Sequence, residues 1–181
     1  MLFLINTMDL WHDIESGELE KLNVIIEVPK NSRIKYELDK KTSLIKFDRV
    51  LYSPMHYPVN YGFVPQTLWE DGDPLDILVL GHEPLVPGCL IQVRPIGVLD
   101  MNDSGEDDVK ILGVPVKDPR FKDYNSLEDV DKHLLEEIRH FFKVYKDLQN
   151  KEVIVGNWRS REEAIKDIEK SKKLYNEKFN N

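Results

Sequence analysis

The chain has 181 residues, 41% hydrophobic and 32% charged, which suits one packed domain and excludes wholesale disorder. Its 25 basic and 33 acidic residues leave a formal charge of −8, a poor match for nonspecific nucleic-acid binding, which needs a basic stripe to displace counterions. A single cysteine, Cys89, excludes an intrachain disulfide framework and a multi-cysteine zinc site, and its place beside an apolar stretch reads as a small buried residue.

The start of the chain, Met1-Leu-Phe-Leu-Ile-Asn6, has an apolar run too short for a secretory signal, with no basic n-region and no small-residue cleavage site. No apolar run approaches the ~20 residues that span a bilayer. The expectation is a soluble cytoplasmic protein with one domain over residues 1–181. Residues 1–9 read as a loose extension, and Met8 is a candidate start because patterned sequence begins near Asp9.

Residues 22–116 read as short strands separated by Pro, Gly and Asp turns. In 22–28, Leu22, Val24, Ile26 and Val28 share one face, and Glu27 points to the other with Ile25. In 34–38 the apolar set is Ile34, Tyr36 and Leu38, with Lys35 and Glu37 opposite. The run 44–51 sets Arg49 on the face of Ile45, Phe47 and Leu51, where an unpaired charge would be expensive. Further strands are predicted at 76–80, 90–99 and 109–116. After Lys117 the period changes. Val130, Leu134, Ile138, Phe141, Phe142, Tyr145 and Leu148 predict an amphipathic helix of about 20 residues, with Ser126 as N-cap. A last helix is predicted from Arg161 to about Tyr175, with Ala164, Ile165 and Ile168 inward. Strands followed by helices give an α+β class: a small, mostly antiparallel barrel with helices on its outside.

The acids concentrate in two segments. Glu70-Asp-Gly-Asp-Pro-Leu-Asp76 holds four carboxylates and Asp100-Met-Asn-Asp-Ser-Gly-Glu-Asp-Asp108 holds five, and neither contains a Lys or Arg. Asp71, Asp73 and Asp76 crowd together, and crowded carboxylates stay ionised only with cations between them. Hard divalent ions such as Mg²⁺ suit oxygen donors best. Either segment alone reads equally as a solvated acidic turn. An EF-hand register fails, because the sixth and twelfth positions counted from Asp71 are Asp76 and His82, and from Asp103 they are Asp108 and Val114.

Around the acids lie groups that suit an anion. Tyr57 and Tyr61 sit four apart in a segment broken by Pro, Asn and Gly, and read either as packing or as phenol donors. Lys35, Arg49 and Lys110 lie on strands. Tyr145 continues the apolar stripe of the long helix, and Lys146 beside it reads alone as a solvated residue. Carboxylates for cations together with lysines, an arginine and phenols suggest an anionic, metal-bound ligand such as a phosphate ester or anhydride, with phosphoryl transfer to water as the chemistry. There is no Walker loop and no Rossmann glycine fingerprint.

These residues resemble the soluble inorganic pyrophosphatases of family I, prokaryotic type. The heptad Asp71-Gly-Asp-Pro-Leu-Asp-Ile77 is similar to that family's signature. So, in order, are Ile26-Glu-Val-Pro29, Lys35-Tyr-Glu37, Asp48-Arg49, Tyr57-Pro-Val-Asn-Tyr-Gly62, Pro87-Gly88, Arg94-Pro-Ile-Gly-Val98, Asp103-Ser-Gly-Glu-Asp-Asp-Val-Lys110 and His140-Phe-Phe-Lys-Val-Tyr-Lys-Asp147. The resemblance implies a five-stranded barrel of the oligonucleotide-binding type with flanking C-terminal helices. It implies Mg²⁺-dependent hydrolysis of pyrophosphate, with several Mg²⁺ per site and Mn²⁺ or Zn²⁺ as substitutes, and inhibition by Ca²⁺. By the same resemblance Asp71, Asp76, Asp103, Asp108 and Glu37 match metal ligands, and Asp73 matches the base that takes a proton from water. Lys35, Arg49, Tyr61, Lys110, Tyr145 and Lys146 match groups that hold phosphates, with Glu27 and Tyr57 in support. It also implies a homo-oligomer, a hexamer of two trimers, with His140 a candidate for a subunit contact, and neither nucleic acid nor membrane as partner. A barrel binding single-stranded nucleic acid and a catalytically silent scaffold are the competing readings.

Overall fold

The computed structural model describes residues 8–180, so most of the predicted N-terminal extension lies outside the described residues. Met8 is exposed, while Asp9 already caps a turn, its Oδ1 accepting from the backbone N–H groups of Trp11 at 2.9 Å and His12 at 3.0 Å.

The chain runs β1 (Gly17–Glu18), β2 (Lys21–Val28), β3 (Ile34–Asp39), β4 (Leu44–Val50), β5 (Asn60–Phe63), β6 (Asp76–Val79), β7 (Leu90–Asp103), β8 (Glu106–Asp107), β9 (Lys110–Pro115), α1 (Lys132–Val144), β10 (Val153–Arg159) and α2 (Arg161–Phe179). Five strands close a ring in the order β2, β5, β6, β9, β7 and back to β2. Every pairing in it is antiparallel except β6 with β9. Closure removes sheet edges and encloses the inner face of the ring strands, and elements outside the ring cover the outer face: Ile25 and Phe63 pack with Trp11, Leu38 and Tyr175. In β2, Ile25 and Glu27 are therefore buried along with Leu22, Val24 and Ile26. Gly62 lets β5 approach β2: a Cβ there would lie 2.0 Å from the Ile25 carbonyl oxygen. β3 and β4 form a separate hairpin beside the barrel.

The two helices pack on different sides. Ile138, Phe141 and Phe142 of α1 join a core with Leu78, Ile96 and Leu112. Ala164 and Ile168 of α2 join one with Leu22, Ile77 and Ile111. The helix predicted over about 20 residues is three pieces. Its α-helical part has 13 residues, with Asp131 as N-cap, whose Oδ1 accepts from His133 N at 2.8 Å and Leu134 N at 3.1 Å. Ser126 instead heads a single 3₁₀ turn, where Asp129 Oδ2 accepts from its backbone N–H at 3.0 Å. A second 3₁₀ turn, Asp147–Gln149, follows and ends at left-handed Asn150 (φ 53°). The sequence pattern runs on from Val130 to Leu148 with no mark at the breaks, but Leu148, expected inward, is exposed. Cys89 is half-buried rather than buried, and the neighbouring Leu90 is exposed. His140 is exposed on α1.

Candidate active site

Two β-bulges aim side chains that simple alternation would send elsewhere. β2 pairs with β5 as Ile26–Gly62 and then Val28–Tyr61, leaving Glu27 as an extra residue. Its Oε1 accepts from Leu38 N at 2.7 Å. In the hairpin, Lys35 pairs with Arg49 and Tyr36 with Phe47, so Asp48 is extra. The bulge moves Arg49 off the face of Ile45 and Phe47 and onto that of Lys35 and Lys46, which corrects the alternation expected over 44–51. Phe47 is exposed, and Arg49 pairs with Asp48 instead of sitting uncompensated on an apolar face. Asp48 also lies 3.7 Å from Lys35 Nζ. Asp48 appears in the sequence only as part of the Asp48-Arg49 motif, with no role, because adjacent strand residues normally face opposite ways; here it pairs with both cations.

The floor of the site follows from strand register. Ile77 of β6 lies beside Ile111 of β9 in parallel, so Asp76 and Lys110 are neighbours on one face, and Asp108 is two residues before Lys110 on the same face. Lys110 Nζ donates to Asp76 Oδ2 at 2.5 Å and to Asp108 Oδ1, and Tyr61 Oη donates to Asp76 Oδ2 at 2.5 Å. Burial pushes Asp108 up to about 7, and the neighbouring Asp76 and Asp71 add to it against the pull of Lys110. Burial pushes Glu27 up to about 8, with Asp76 next in effect. Burial also raises Asp71, which lies near Asp76 and Asp73. Burial disfavours the Lys110 ammonium, but Asp76 and Asp108 outweigh it and hold its pKa above the usual value.

Lys35, Arg49 and Lys146 form a second group, close enough that burial and the other two cations lower Lys146 against the pull of Asp103. Lys146 is buried and paired with Asp103 at the end of β7, so it is not the solvated residue its sequence position suggested. Lys35 reaches Glu37 at 3.4 Å, and Lys46 reaches the other Glu37 oxygen at 3.2 Å. Burial opposes these lysines at Glu37, but they prevail and lower its pKa. Tyr57, Tyr61 and Tyr145 are all buried, with Tyr57 and Tyr61 ring centroids 5.6 Å apart and Tyr57 packed on Phe141 at 4.8 Å. Burial raises all three phenols, so they serve as neutral donors.

Asp71 and Asp73 stand on the loop before β6, around Gly72 (φ 85°). Asp73 N donates to Asp71 Oδ1 at 3.0 Å, and Trp69 N donates to Asp73 O at 2.7 Å. A small cavity of about 50 Å³ is lined by Glu27, Glu37, Lys40, Asp73 and Asp76. Larger cavities lie elsewhere, one of about 340 Å³ beside His82 and Arg120, away from these acids. Not all of the acidic segments faces the site: Glu70 pairs with Lys170 and Asp100 with Arg159, both toward α2 and the strand before it.

Among the described residues no three acidic, histidine or cysteine side chains converge as a ready-made cation cage. Lys110 lies between Asp76 and Asp108 instead. The donor set nevertheless fits a hard divalent cation. It is all oxygen, and the raised pKa values of Asp71 and Asp108 mark carboxylates short of positive charge.

A sequence model of the family described as "Inorganic pyrophosphatase" matches residues 24–176. The inorganic pyrophosphatase of Geobacillus stearothermophilus is 53% identical over 156 residues, 86% of this chain and 94% of that protein. The chain belongs to the inorganic pyrophosphatase family. Its members are hydrolases that split pyrophosphate into phosphate, and they require a divalent metal. Soluble inorganic pyrophosphatase 1 of Arabidopsis thaliana is 50% identical over 169 residues, 92% of this chain and 80% of that protein. Among solved structures, the inorganic pyrophosphatase of Thermus thermophilus superposes with a TM-score of 0.89 at 40% identity, covering 93% of this chain and 99% of that one. That of Coxiella burnetii gives 0.86 at 44% identity, covering 90% and 99%. The fold of this family is the oligonucleotide-binding type of barrel with flanking C-terminal helices. No helix among the described residues is long and apolar enough to cross a membrane.

Proposed function

We propose that the chain, as one domain, hydrolyses inorganic pyrophosphate with Mg²⁺ as its metal, through the residues gathered here. The observation that carries the reading is one cluster of acids and cations: Asp71, Asp76 and Asp108 gather around Lys110 and Tyr61, and Lys35, Arg49 and Lys146 group beside Asp48 and Asp103. Asp71, Asp76 and Asp108 would hold activating Mg²⁺, with Asp103 and Glu37 at its edge and Glu27 in support. Bound Mg²⁺ supplies an acidified water and neutralises phosphate oxygens. Asp73, the solvent-exposed member, orients the attacking water and takes its proton at a carboxylate oxygen. Lys35, Arg49 and Lys146 offer N–H donors to the phosphates and spread the charge of the leaving group. Lys110 has three ammonium protons and gives two to Asp76 and Asp108, which leaves one for a phosphate oxygen. Tyr61 gives its one proton to Asp76, and Tyr57 packs against it in support.

Phosphate release from pyrophosphate with Mg²⁺, abolished by EDTA, is the expected outcome, and its absence in the presence of Mg²⁺ would sink the activity. Mn²⁺ and Zn²⁺ in place of Mg²⁺ test the metal preference. A homohexamer in the cytoplasm completes the reading, supported by the resemblance to the prokaryotic type alone. Sedimentation as a monomer at micromolar concentration would refute the assembly.

A further inference from the structure

Lys40 is absorbed by none of the roles above. It follows β3 in the hairpin turn, and that turn is stiff: Asp39 O accepts from Thr42 N at 3.1 Å and Ser43 N at 2.8 Å, with Ser43 left-handed at φ 55°. From this base the Lys40 ammonium pairs with Asp73 Oδ1, donates to Gly72 O at 3.1 Å and lies 5.3 Å from the centre of the Trp11 ring. Trp11 is buried and ties itself to the same loop's support, donating from Nε1 to Thr67 O at 2.8 Å. Thr67 Oγ1 in turn accepts from Leu75 N at 2.9 Å. The loop bearing Asp73 is therefore held at its far end by Thr67 and in its middle by Lys40, and Lys40 belongs to the hairpin that carries Lys35 and Arg49.

We infer that Lys40 is a positioning residue, a latch that fixes the Asp73 carboxylate and the acidic loop relative to the phosphate-facing hairpin. The inference rests on the reading of Asp73 as the base. Lys40 points at Asp73 and the Gly72 carbonyl rather than at the Lys35–Arg49 group, so it acts on turnover and not on substrate binding. The pair is half exposed, which limits its worth to about three- to fivefold. A misplaced base costs rate without costing affinity.

The test is steady-state hydrolysis of magnesium pyrophosphate by Lys40→Gln, Lys40→Arg and the exposed neighbour control Lys41→Gln, each alone and combined with Asp73→Asn. Hydrogen exchange of residues 69–75 is followed in the metal-free proteins. Lys40→Gln is expected to lower kcat about three- to fivefold with KM within about twofold, and Lys40→Arg to restore most of it. On Asp73→Asn its effect on kcat should be clearly smaller than on the parent, because the pair with Asp73 is gone and only the hydrogen bond to the Gly72 carbonyl remains. Exchange in 69–75 should rise in Lys40→Gln and not in Lys41→Gln. Unchanged kcat in Lys40→Gln, the same drop repeated on Asp73→Asn, or unchanged exchange would overturn the latch alone. Near-normal turnover of Asp73→Asn would overturn the base and the latch together, so the two failures are told apart by that single variant.

Discussion

Asp76 and Asp108 lie on the barrel, with side chains 18% and 14% exposed, against a Lys110 that is 3% exposed. Asp73 lies on a loop at 54%, against a Lys40 at 45%. The same ion pairing thus occurs twice, once desolvated and once in water. On the barrel, removal from water makes each uncompensated carboxylate costly, so the acids are held in place by strand register and hunger for cations. On the loop the charge is cheap and its partner exchangeable. The difference suits the division of labour proposed above. Ligands such as Asp76 and Asp108 benefit from a rigid, dry setting, and Asp71, though on the loop with Asp73, is itself raised by burial, whereas a base that must pass its proton on to water needs access to it.

The comparison can be broken most forcefully at Lys110. Lys110→Met leaves two carboxylates facing one another, and metal-free protein should lose roughly 3–5 kcal/mol in urea unfolding. A loss as small as that of an exposed pair would show the floor to be wetter than described. Next is Asp73→Asn, which should leave the unfolding midpoint in place and lower kcat by roughly 10²-fold or more. Near-normal turnover would rule out the base. Asp76→Ala should raise the Mg²⁺ concentration for half-maximal rate by roughly tenfold, with a smaller change in KM for substrate. Equal changes in both would mean that Asp76 serves substrate as much as metal.

A separate prediction concerns the pH dependence set by Glu27. Burial, then Asp76, lift it from an ordinary 4.5 to about 8. The folded, metal-free chain therefore keeps this proton longer than the unfolded chain. Its cost is absent below about pH 4.5, grows as pH rises and is complete above about pH 8. Glu27→Gln should remove that slope, so that the stability of EDTA-treated protein no longer falls between about pH 4.5 and pH 8. Parallel stability curves for the two proteins would refute the shifted Glu27.

Much of the fold was legible because strands leave local marks. Alternation located β2, β3, β4, β6, β7 and β9, and Arg161 begins α2 as expected, although α2 runs on to Phe179. β5 escaped because Asn60 and Gly62 carry no strand preference and follow Pro58. Pairing with β2 on one side and β6 on the other makes it a strand, and all four of its residues are buried. β10 escaped because Gly156 interrupts it and its pairing with β7 shifts between Val155 and Trp158. Site chemistry was legible in a similar way. The acidic heptad, the strand lysines and the tyrosines announce themselves by type and spacing, but Asp48 and Lys40 do not.

By itself the sequence determined the strand-then-helix order, the concentration of nine acids in two segments, and the residue types able to meet a metal and a phosphate. It could do so because periodicity and composition are properties of neighbours along the chain. Only the tertiary structure decided which of those acids face the site. Glu70 and Asp100 turn to Lys170 and Arg159, so the surplus charge first counted as −8 is divided between a functional floor and an ordinary ion-paired surface. It also decided the bulges that aim Glu27 and swing Arg49 onto the face of Lys35, because a bulge is settled against the partner strand and leaves no periodic trace in its own.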